Sequence, residues 1–184
     1  ATVWADGVML STARNKASRY FIMVSMRSGA RHDAPSVRWT RRLGVLLCAW
    51  VLAAAWGSVV QTQWNLRALV DVGVEIPASD WLRVTAQDLI GFAPVYGVIL
   101  AVGWLFALPV ASALARWWPA GRSALLAAAA GVGMVAAVRT VDAVAPMPVF
   151  IDATRHLPGL LAMAAGAVLA GLLYARLTAR LTSR

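Results

Sequence analysis

The chain has 184 residues, 60% of them hydrophobic and 14% charged, where an average soluble domain has about 45–50% and about 25%. That departure excludes an ordinary water-soluble fold, and the length allows four membrane spans of about 20 residues with short tails and little else. A single cysteine, Cys48, excludes an internal disulfide, a CxxC redox pair and a thiolate metal cage, and leaves a small apolar packing role for that residue.

Residues 1–40 read as a basic, poorly ordered cytoplasmic tail carrying Arg14, Lys16, Arg19, Arg27, Arg31 and Arg38. The apolar run at 20–24 is too short to span and lacks the cleavage pattern of a signal peptide. Met26-Arg27-Ser28-Gly29 reads like a natural beginning, so residues 1–25 are expected to be foreign to the native protein or weakly ordered.

The transmembrane domain is placed at 41–176. Its first span, 43–60, is uncharged and follows Arg41-Arg42. The pattern continues through Trp64, Leu66, Leu69 and Val70 to Gly73, which predicts one long helix ending at a glycine. Residues 74–78 should be extended ahead of and around Pro77. Ser79 is expected to cap a new helix, with Asp80 in its first turn. Leu82, Ala86, Leu89, Ile90 and Ala93 recur at helical spacing, away from Arg83, Gln87 and Asp88. They predict an outer amphipathic segment between the first and second spans. The second span covers 90–115, with expected kinks at Pro94 and Pro109. Residues 116–122 form a tight turn. The third span runs over 123–144 and is ended by Pro146 and Pro148. The fourth covers 157–174, and 177–184 form a basic cytoplasmic tail.

Charge sets the orientation. With the N-terminus, the 116–122 turn and the C-terminus on one side, that side holds thirteen of the seventeen Lys and Arg and two of the eight acids. The other side holds Arg67, Arg83, Arg139 and Arg155 against six acids. Positive loops mark the cytoplasmic side. The expected fold is therefore an all-α integral membrane protein, four transmembrane helices in an antiparallel up-down bundle, N-in and C-in, in a bacterial inner membrane. Trp39, Trp117 and Trp118 at one boundary, and Trp64 and Trp81 at the other, fit an aromatic belt. The natural partner of the basic face is anionic lipid. The basic tails lack the aromatic interleaving and fold cues of a nucleic-acid module.

Inside a bilayer, small residues let helices approach. Gly103 and Ala107 in the second span, Gly131 and Gly133 in the third, and Gly166 and Gly171 in the fourth are the expected seams. Trp50, Trp56 and Trp104 lie within spans, where filling helix contacts or facing lipid is the plain reading and stacking on a cofactor the rival one.

No ionisable residue occupies the centre of a span. Asp88, Arg139, Asp142, Asp152, Arg155 and His156 gather toward the outer edge as a candidate polar cluster. Arg139 and Asp142 stand three apart on one helix, and Asp88 would meet Arg139 if their helices pack. The cluster reads either as a docking or binding site or as an interfacial network that orients helix ends. A lone outer histidine does not make a zinc or haem site. There is no GxSxG, SxxK or phosphate-loop motif, so no enzyme, metal or cofactor is expected. The leading function is a small non-enzymatic accessory, scaffold or assembly subunit bound within the membrane to a protein partner or to further copies of itself. The rival is a small oligomeric transporter or lipid-handling protein with an outer polar site, which needs a water-accessible cavity reaching Asp88, Arg139 or Asp142.

Overall fold

The computed structural model describes residues 35–144 and 151–182, with side chains described over 39–144 and 151–181. Four long helices account for most of them: α1 (Pro35–Asp71), α2 (Ala78–Leu114), α3 (Arg122–Val144) and α4 (Leu157–Thr182). Two short 3₁₀ turns, Pro119–Gly121 and Asp152–Arg155, join α2 to α3 and lead into α4. No strand occurs among the described residues. Residues Thr40–Arg184 form one compact unit, to which the following description applies. The expectations for residues 1–25 and for Pro146 and Pro148 lie outside the described residues.

Several boundaries follow directly from local chemistry. Gly73 adopts φ +90°, a left-handed conformation that costs an L side chain energy but not glycine. Its N–H donates to Val70 O at 2.9 Å, and the Val74 N–H donates to Leu69 O at 3.1 Å. These are the paired bonds of a Schellman stop, and they end α1 where the sequence places its glycine. Pro77, at φ −59°, takes the N-cap position of α2 without a side-chain cap bond. Ser79 therefore sits inside the first turn and does not cap, while Asp80 falls in that turn as expected. The amphipathic stretch is not a separate segment. It forms the first three turns of α2, which runs through Pro94 and Pro109 without ending.

The stretch from 177 to Thr182 is helical and continues α4. Arg122 contributes to this, because its guanidinium donates to Ala175 O at 2.9 Å and to Thr178 Oγ1 at 3.0 Å. Likewise, residues 35–40 belong to α1. Cys48 is exposed and not packed.

All four helices are long and apolar enough to cross a membrane. Only 28% of the apolar stretch is buried in α1 and in α2, and 39% in α3 and in α4. Leu47, Val51, Val98, Leu105, Phe106, Val110, Leu161 and Leu169 all point outward. In water the outward face of a helix is polar, and an apolar surface of this extent marks a lipid-facing one. The chain is a multi-pass membrane protein.

Two kinds of contact hold the helices. α2 meets α3 backbone to backbone. A Cβ placed on Gly103 would meet the Gly133 carbonyl and lie 3.0 Å from Ala137 Cβ, and one on Gly133 would lie 2.8 Å from Ala107 Cβ. α3 meets α4 in the same way: Gly171 lies against Ala130 and the Leu126 carbonyl, and Gly131 against Val168. α1 instead docks through aromatic rings laid on glycines. Trp50 covers Gly97 of α2, Tyr96 of α2 covers Gly57, and Trp56 covers Gly166 of α4. The indole N–H groups reach past those glycines to backbone oxygens, Trp50 to Gly97 O and Trp56 to Ala162 O, each at 2.8 Å. Trp104 of α2 likewise donates to Ala130 O of α3 at 3.0 Å.

These contacts predict a ranking. Gly103→Ala presses a methyl group on a backbone carbonyl that cannot move aside, and overpacking of that kind costs about 1–3 kcal/mol. Gly166→Ala meets only the ring of Trp56, which is 47% exposed and able to swing outward. Gly44 has nothing within 4 Å. Melting temperatures in detergent should therefore fall most for Gly103→Ala, less for Gly166→Ala and not at all for Gly44→Ala. Equal losses at 103 and 44 would sink the seam.

Candidate functional site

Polar side chains collect at the end of α1 and the start of α2. Ser58, Gln61, Thr62 and Asn65 fall at successive helical spacings on one face of α1. Ser58, Gln61 and Thr62 are buried. Gln61 donates through Nε2 to Asn65 Oδ1 at 3.3 Å, and its Oε1 accepts from the Ala153 N–H at 2.8 Å. The second of these bonds fixes the 3₁₀ turn at 152–155 against α1. The glycine below it permits the close approach, because a Cβ on Gly159 would strike the Ala153 carbonyl and lie 3.2 Å from Trp64. Thr62 donates to Ser58 O at 2.9 Å and stands 2.7 Å from Asp88 Oδ2. Nearer the helix ends, Gln63 links the two helices. Its Oε1 accepts from the Trp81 indole at 2.7 Å, and its Nε2 donates to Thr85 Oγ1 at 3.2 Å.

The six residues singled out in the sequence distribute over this layer in separate places. Asp88 is half-buried and contacts Thr62, not Arg139. Arg139 approaches Asp142 on its own helix at 4.0 Å, with the Asp142 side chain only 12% exposed. Arg155 pairs with Asp152 at 3.0 Å within the 3₁₀ turn. His156 is exposed and follows that turn. Among the described residues, no group of three or more His, Cys, Asp or Glu stands close enough to hold a metal ion. The contacts that tie the layer together come from Gln61, Thr62, Gln63 and Trp81, which the reading of ionisable residues passed over. For Gln61 and Thr62 the signal was present in the 58, 61, 62, 65 spacing.

A second feature lies on the opposite flank of α2. An open groove of about 860 Å³ runs between α2 and α3. Val102, Phe106 and Val110 form one wall, and Ala129, Val132 and Ala136 form the other. Gly103 and Gly133 make its floor. Thr140 is the one polar side chain in the lining, and its hydroxyl is spent on Ala136 O at 2.8 Å. The groove reaches neither Asp88, Arg139 nor Asp142.

The polar layer predicts unequal roles for its members. Gln61→Leu strips a buried backbone N–H of its acceptor, a loss of about 1–3 kcal/mol. Arg155→Ala breaks an ion pair whose arginine side chain is 52% exposed, and such pairs are worth about 0–1 kcal/mol. Thermal melts in detergent should show a clear drop for the first and almost none for the second. No protein-family model matches the chain, and neither a curated protein nor a solved structure matches it.

Proposed function

We propose that the chain is a non-enzymatic accessory or scaffold subunit of a larger complex in a bacterial inner membrane, and that the α2–α3 groove seats a transmembrane helix of its partner. The groove carries this reading. It is apolar along nearly all its length, and its floor and much of its α3 wall are glycine and alanine, the residues that admit a second backbone closely within lipid. From Val98 to Leu114 the α2 wall measures about 24 Å at 1.5 Å per residue. The hydrocarbon is about 30 Å deep, so one leaflet supplies about half of that. A single acyl chain would leave much of the groove unfilled, whereas a crossing helix matches it.

The orientation belongs to the same proposal. The helices run up and down as an antiparallel bundle with both termini in the cytoplasm, supported by the excess of Lys and Arg on that side. Arg116 and the exposed Trp117 and Trp118 lie at the cytoplasmic surface against anionic headgroups. A transporter of polar solutes is not favoured, because the groove offers a solute no free polar group and stops short of the acids.

The test is gentle purification from native membranes with cross-linking and mass spectrometry. A second protein should co-purify. Ala136→Phe, which fills the groove from an exposed position, should release it while leaving the melting temperature of the chain unchanged. A chain that runs alone and yields no cross-linked partner defeats the reading, and one that cross-links only to itself replaces it with a homo-oligomer.

A further inference from the structure

Where α1 meets α2, two hydroxyl groups are closed off together. Ser58 on α1 and Tyr96 on α2 are each 0% exposed. Neither Ser58 Oγ nor Tyr96 Oη makes a hydrogen bond to any described residue, so they do not bond each other. Other hydroxyls of the spans reach a carbonyl one turn back on their own helix, as Thr62, Ser112, Thr140 and Thr178 do. Ser58 makes no such bond. A hydroxyl withdrawn from water without a partner is costly, and lipid offers it none.

The contacts across the interface bring the two groups to one level. Going down α1 from Thr62 to Gly57, the facing position on α2 goes from Asp88 to Tyr96. Long side chains lean toward the N-terminus of their own helix, so Tyr96 leans back toward Asp88. Its ring lies on Gly57. A Cβ there would come within 2.7 Å of Tyr96 Cζ, the carbon that bears the hydroxyl. The hydroxyl end of the ring is thus at Gly57, the residue before Ser58. Phe92 stacks on the same ring, with centroids 6.0 Å apart and planes 12° from parallel. The polar layer of Thr62 and Asp88 begins one turn farther along α1.

We propose that the α1–α2 interface binds one water molecule inside the membrane, held by Ser58 Oγ and Tyr96 Oη. Each hydroxyl can give one hydrogen and accept another, and water can do both twice. One water therefore serves both hydroxyls, and buried waters characteristically rest on two to four polar groups. With both hydroxyl atoms shut off from the surface, a larger solute is excluded. This goes beyond the subunit reading and does not depend on the groove.

Hydroxyl-radical footprinting of the full chain in nanodiscs, read by mass spectrometry, tests it. Radicals formed on a bound water oxidise the side chains that hold it, so Tyr96 should be labelled despite its burial. Met134 is the control: it is also 0% exposed and sits in the apolar core. Met134 should be labelled far less, although methionine oxidises readily. Ser58→Ala removes one of the two ligands and should cut labelling at Tyr96 several-fold while leaving Met134 unchanged. Labelling of Tyr96 no greater than that of Met134, or labelling indifferent to Ser58→Ala, overturns the proposal. The comparison of Tyr96 with Met134 needs no variant, so it decides the matter even if Ser58→Ala fails to fold. Partner capture does not enter this readout, so failure here and failure of the subunit reading are distinguishable.

Discussion

Lipid tails offer an N–H group no acceptor, so every donor that enters the hydrocarbon must find an oxygen within the protein. The arrangement of this chain turns on how its tryptophans meet that demand. The carbonyl oxygens of a helix already accept one bond each but retain a second lone pair. They are reachable only where the covering side chain is absent. Trp50 lies on Gly97 and bonds the oxygen of that same residue. Trp56 lies on Gly166 and bonds Ala162 O, one turn away along α4. Each indole thus does two things in one contact: it fills the notch left by a missing Cβ and satisfies its own donor. Because each indole must reach one particular carbonyl, the contact also sets the register of α1 against its neighbours.

From that constraint follows a division of labour among the helices. α1 carries bulk into glycine notches on α2 and α4, while α2, α3 and α4 approach one another through glycine and alanine. Several hydroxyl groups give their hydrogen back to their own helix. Thr85 bonds Trp81 O, Ser112 bonds Leu108 O, Thr140 bonds Ala136 O, and Thr178 bonds Tyr174 O. What remains unfilled is the flank of the α2–α3 seam. Small residues on α3 bring the two helices close but do not extend far enough to cover the valley above the contact, so the close approach itself produces the groove.

The amino-acid pattern shows the four spans because uninterrupted apolar runs of the necessary length have few other readings. It shows the end of α1 because glycine alone accepts the conformation at Gly73 without strain. It does not show where α4 ends, since the apolar run stops near 174 while the backbone continues to Thr182, supported by Arg122 from a distant part of the chain. Nor does it show which way Cys48 faces. A helix apolar on every side carries no asymmetry from which to read an inward face. The polar layer was half legible. The acids near the outer edge are conspicuous in composition, but their partners depend on register. Asp88 meets Thr62 and not Arg139 because α1, not α3, lies beside it at that level. The spacing of Ser58, Gln61, Thr62 and Asn65 carried the better signal. Uncharged polar residues on one face of an apolar helix mark the side that cannot face lipid.

The polar layer and the groove lie on different flanks of one helix. Along α2, positions 88, 96 and 97 face α1, whereas 102, 106 and 110 line the groove. A signal could pass between them only if α2 turned about its axis or slid along it. Both motions are opposed by fixed contacts: Tyr96 on Gly57 and Trp50 on Gly97 on one side, and the Gly103–Gly133 backbone contact on the other. Either motion would strip Trp50 and Trp104 of their acceptors in a medium that supplies none. Groups with no shared partner on a pinned element contribute independently. The α1 face and the groove face of α2 are therefore held by separate contacts that share no residue.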